Sequence, residues 1–121
     1  LRFLGNVPDV GEIEDALRDV RHPEVVASAG PATRRLGPGV LMVPVTGLDS
    51  LATALPFELD RPFEGHLTVA RARNRRQVPR THEGIPFAAT WRVTSFALVR
   101  SQTKPTGAVY DDVATFPLQP A

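Results

Sequence analysis

The chain has 121 residues, 42% of them apolar, and its 14 basic and 13 acidic side chains leave a net charge of +1. This is the size of one domain, and so even a balance excludes nucleic-acid binding driven by bulk charge alone. With no cysteine there is no disulfide frame and no thiolate metal site, and no apolar run approaches the ~20 residues of a membrane span.

Leu1–Leu4 reads as the end of a strand, closed by Gly5-Asn6 and Pro8. A chain that opens inside an apolar strand is expected to be a fragment with upstream residues missing. Asp9 stands three residues before Glu12, a capping-box-like start. Val10, Ile13, Leu17 and Val20 follow at helical spacing, which predicts a helix from Val10 to Arg21. His22-Pro23 ends it. Glu24–Ser28 is a short strand candidate, and "GPATRRLGPG" reads as loop. "VLMVPV", Val40–Val45, is a continuous apolar run suited to a buried strand. Asp49 is expected to cap a short helix, Ser50–Leu55, stopped by Pro56.

The next strand, Gly65–Arg73, carries His66 and Thr68 two residues apart. Side chains alternate along a strand, so this pair shares one face, and Leu67 and Val69 share the other. An arginine-rich loop, "RNRRQVPRTHEG", follows. Two more strands are predicted, Arg92–Arg100 and Val109–Phe116, joined by the turn-forming "SQTKPTG". Strands and helices without strict alternation indicate an α+β fold with a largely antiparallel sheet. Residues 1–121 are expected to form a single domain.

The stretch "RPFEGHLTVAR" resembles the second signature of the 2H phosphoesterases, the family of 2′,5′-RNA ligases and RNA 2′,3′-cyclic phosphodiesterases. Arg61, Pro62, Phe63, His66, Thr68 and Arg71 match it. Glu64-Gly65 stands where the family usually has a basic residue and a proline. "LRFLG" resembles the residues that directly follow the family's first His-x-Thr, and "FALVRSQTKPTGAVYDDVATFPL" resembles its closing hairpin. The resemblance implies a two-lobed fold around a central cleft, its first lobe incomplete here, and a site built on paired histidines.

Such a pair suits the chemistry. Opening a 2′,3′-cyclic phosphate needs a base for the attacking water and an acid for the departing ribose oxygen. Imidazole titrates near neutrality and can do either. A threonine hydroxyl on the same strand face can hydrogen-bond a non-bridging oxygen as charge builds. Leu67 and Val69, on the back face, are expected to anchor the strand in the core.

The resemblance makes His66 and Thr68 the catalytic candidates and Arg71, Ser101, Tyr110 and Phe3 the substrate-binding ones. Strict alternation would put Arg71 opposite His66, so it reaches the site only if a bulge or the strand end turns it. Ser101 and Tyr110 serve either the cleft or their own turn, and Phe3 and Phe63 either stack a base or pack the core. Arg73, Arg75, Arg76 and Arg80 read as a solvated surface or as a guide for an RNA backbone. His22, at a helix C-terminus, and His82, in the loop, read as solvated side chains.

The expected protein is thus an RNA 2′,3′-cyclic phosphodiesterase with possible 2′,5′-ligase chemistry, impaired in this fragment. It would use no metal and no cofactor and act on RNA ends or nucleotides with a 2′,3′-cyclic phosphate. Cytoplasmic, away from membranes and monomeric when intact is the matching expectation. The alternatives are a non-catalytic RNA- or nucleotide-binding module and a phosphodiesterase of a small cyclic nucleotide.

Overall fold

The computed structural model describes residues 9–57, 62–73 and 76–120. Helix α1, Val10–Arg18, opens where the sequence places it: Asp9 accepts the Glu12 backbone N–H at 3.2 Å. It ends three residues before the predicted Arg21. There the Val20 N–H turns back to the Leu17 carbonyl at 3.2 Å. The Arg21 guanidinium donates to the carbonyls of Arg18 and Val20 at 2.7 and 3.2 Å. The terminal carbonyls are thus satisfied by a side chain rather than by another helical turn. Arg18 pairs with Glu14 and Asp15 on the exposed face.

Strand β1, Val25–Ala29, is followed by β2, the two residues Arg34–Arg35, and by β3, Val40–Thr46. Leu41, Met42 and Val43 are consecutive and all buried, as a central strand covered on both faces requires. Helix α2, Asp49–Ala54, has Leu48 at its N-cap without a side-chain cap bond. Asp49 is therefore inside the first turn, not the cap, where its carboxylate still suits the positive end of the helix.

Strand β4, His66–Arg71, precedes a 3-10 turn at Arg80–His82. The predicted strand Arg92–Arg100 is two strands. Strand β5 is Ala89–Val93, β6 is Ser95–Lys104, and Thr94 is the break between them. The two lie in different sheets. The Leu118 N–H donates to the Thr94 carbonyl at 2.8 Å and fixes the break. Strand β7, Gly107–Pro117, closes a hairpin with β6 in which Lys104 faces Gly107 across Pro105-Thr106. At Gly107, φ is 124°, a value open to glycine and costly for other residues.

The larger sheet has β3 at its centre. Strands β1 and β2 flank one of its edges, β4 the other, and β5 pairs with β1; every pairing is antiparallel. One face of this sheet holds the core cluster Ala27, Ala29, Val43 and Val45, packed by Leu48, Ala89 and Val93. The β6–β7 hairpin is the second sheet. The α+β architecture with antiparallel sheets is the expected one.

Candidate active site

His66 opens β4 opposite Pro44, and Thr68 lies opposite Met42. Residues directly opposite in an antiparallel pair share a face. The pairing then slips: Leu41 faces Ala70, so Val69 is the extra residue of a β-bulge. Beyond it Arg71 faces Val40. Val40, Met42 and Pro44 alternate regularly on β3 and share one face. His66, Thr68 and Arg71 therefore share that face too. The bulge turns Arg71 to the side of the histidine, the case in which it could reach the site. Arg71 is exposed and makes no ion pair among the described residues.

The imidazole orientation is set by the backbone just before it. His66 Nδ1 lies 2.8 Å from the Glu64 carbonyl oxygen. A carbonyl can only accept, so Nδ1 carries the proton. Nε2 is left with its lone pair in the neutral ring and without a partner among the described residues. The approach of this backbone to β3 depends on Gly65. Its carbonyl accepts the Val45 N–H at 2.9 Å, and a Cβ on residue 65 would press onto the Val45 carbonyl oxygen.

Leu67 and Val69 do not anchor the strand as expected; they are 44% and 46% exposed. Val69 is the bulged residue, and Leu67 sits on an outer strand whose partner Val43 is the buried one. What holds β4 is its ladder with the buried β3.

The same face continues across the sheet. Arg34 lies opposite Met42 on the other side of β3, and Thr90, Ser28 and Thr46 form a row over β5, β1 and β3. Ser28 Oγ and Thr90 Oγ1 are 3.5 Å apart. Arg34 Nη2 pairs with Glu64 Oε1 at 2.8 Å. Sequence reasoning missed Arg34 because a two-residue strand has no periodicity to detect. The only signal was that "TRRL" stands apart from the glycines and prolines around it.

Ser101 and Tyr110 are brought together as a cross-strand pair on the hairpin, in the sheet that does not hold His66, and both are exposed. Phe3 and Arg61 lie outside the described residues, as does the "LRFLG" stretch. His22 lies beyond the shortened α1, not at its end, and its Nδ1 is 2.8 Å from the Pro23 carbonyl. His82 is in the 3-10 turn, where its own carbonyl accepts the Thr33 hydroxyl at 2.6 Å. Neither belongs to the strand face of His66. Among the described residues no three His, Asp or Glu side chains gather as a metal site.

A two-sheet α+β chain with a His-x-Thr-x-x-Arg strand face can be set beside known proteins. No family model matches it. The crystal structure of TT0787 of Thermus thermophilus superposes on 98% of this chain and 75% of its own, with a TM-score of 0.76 and 27% identity. Fold and motif together are consistent with the class that the sequence resembles, the 2H phosphoesterases. More particularly, 60 of its residues are 42% identical to a Thermus thermophilus protein named RNA 2′,3′-cyclic phosphodiesterase. That match covers half of this chain and 29% of the relative.

Proposed function

We propose that the protein opens RNA 2′,3′-cyclic phosphates to 2′-phosphates by acid–base catalysis with His66 as one of two imidazoles. The observation that carries this reading is the hydrogen bond from His66 Nδ1 to the Glu64 carbonyl. It fixes the tautomer and leaves Nε2 as the atom that can take or give a proton. One imidazole removes a proton from water as the oxygen attacks phosphorus. The other protonates the departing 3′-oxygen on the opposite side, and the 2′-ester bond is kept. The motif resemblance implies that the second imidazole belongs to the family's first His-x-Thr.

Thr68, on the same face, donates its hydroxyl to a non-bridging oxygen as charge builds there. Arg71, turned to that face by the bulge, supplies a guanidinium fork for the same group. Replacing the water by the 5′-hydroxyl of a second RNA end would run the same groups as a 2′,5′-ligase, with the cyclic ester opened in the same way. The similarity to the Thermus thermophilus protein named RNA 2′,3′-cyclic phosphodiesterase supports the substrate class.

The test is turnover of a 2′,3′-cyclic nucleotide by the full-length protein, with the product identified by phosphorus NMR. His66→Ala should lower the rate by about 10²–10⁴-fold, the range for losing a general acid or base, with an unchanged circular dichroism spectrum. A rate within a few-fold of the parent would overturn the assignment.

A further inference from the structure

We infer that Arg34 is a second anion-binding position, which takes the phosphodiester one nucleotide upstream of the reacting cyclic phosphate. This rests on the phosphodiesterase reading above and deepens it: the site would prefer an oligonucleotide end over a mononucleotide.

The placement follows from strand register. Arg34, Met42 and Thr68 form one row across β2, β3 and β4. Their shared face is that of His66. Two strand spacings separate the Cα atoms of Arg34 and Thr68, about 10 Å. The spacing leaves room for two anions side by side on this face. It suits two successive phosphates of one strand, with Thr68 and Arg71 on the first and Arg34 on the second.

The guanidinium is held toward the site. Glu64, whose backbone carbonyl takes the His66 Nδ1 proton, takes Arg34 Nη2 on its carboxylate at 2.8 Å. Both side chains are more than half exposed, 54% for Arg34 and 53% for Glu64. An ion pair in that setting is weak, so an incoming phosphate can displace the carboxylate. Glu64 thus pre-aims Arg34 and competes with the ligand for it. The family's usual basic residue at this position would have no such hold on Arg34.

The test compares the binding of two probes by calorimetry at low salt, a nucleoside 2′-monophosphate and a dinucleotide ending in a 2′-phosphate. The parent should bind the dinucleotide more tightly. Arg34→Gln should weaken dinucleotide binding about two- to fivefold, the range of a solvent-exposed ion pair, and leave mononucleotide binding unchanged. Glu64→Gln should tighten dinucleotide binding, and that gain should vanish in the double variant, because the two side chains compete through one contact. Equal losses for both probes, or a Glu64→Gln gain that survives without Arg34, would overturn the inference and leave the catalytic reading standing. Failure of the parent to bind either probe would overturn both.

Discussion

The bulge at Val69 decides which residue of β4 accompanies His66. In a regular strand Ala70 would share the face of His66 and Thr68, and Arg71 would point away. With Val69 left out of the pairing, Ala70 falls opposite Leu41 and Arg71 opposite Val40. Arg71→Ala should therefore reduce kcat/KM for a cyclic nucleotide. A hydrogen bond to a charged group is worth about 1.5–3 kcal/mol. Arg71 is exposed, so the low end applies, about tenfold. Moving the arginine one place, with Ala70→Arg and Arg71→Ala combined, should not restore the rate. The register can also be read without substrate. The chain has no cysteine, so a pair introduced as Val40→Cys with Arg71→Cys stands alone. Directly opposite strand residues lie close enough to cross-link, whereas Val40→Cys with Ala70→Cys should not pair. Rescue by the shifted arginine, or preferential cross-linking of residue 70 to residue 40, would refute the bulge argument.

Two further outcomes follow from the site. Gly65→Ala drives a Cβ against the Val45 carbonyl oxygen, and overpacking of this kind costs about 1–3 kcal/mol. Urea unfolding followed by Trp91 fluorescence should show that loss, while Gly39→Ala, which meets nothing within 4 Å, should stay within about 0.5 kcal/mol of the parent; equal stabilities would refute it. Thr68→Val should lower kcat by about 10²-fold if its hydroxyl stabilises developing charge, and Thr68→Ser should keep most of the rate. Steady-state kinetics on both variants would expose a merely structural role as an equal loss.

Much of the fold was legible because it rests on local signals. Asp9 and the Val10–Leu17 spacing located α1, the unbroken run Val40–Val45 located the central strand, and Lys104–Gly107 marked the hairpin turn. Thr94 was not legible. "RVTSFALVR" has uniform β propensity, and only the Leu118 contact with the Thr94 carbonyl shows where the chain changes sheets. At the site, His66 and Thr68 could be read from period-two alternation. The side taken by Arg71 could not, since a bulge is a property of two strands together. Arg34 was hidden for the same reason, because its place depends on Met42 across the ladder. The expected burial of Leu67 and Val69 failed because alternation tells which residues share a face but not how fully that face is covered.

The separation of the two sheets bears on how the chain reaches this structure. Strands β6 and β7 meet through a two-residue turn, a contact that closes almost no loop and can form in microseconds. The larger sheet joins segments remote in sequence: Ser28 meets Thr90 and Glu24 meets Arg92, 62 and 68 residues apart. Contacts of such long range carry a high closure entropy and slow folding. In refolding of the whole chain, the strand that carries Thr90 and Arg92 is therefore expected to dock after the hairpin, completing the polar face beside His66. The nascent chain must keep β1 unpaired on that edge until more than half of its remaining length has followed, and the acquisition of a finished site is set by topology rather than by the strength of any one contact within it.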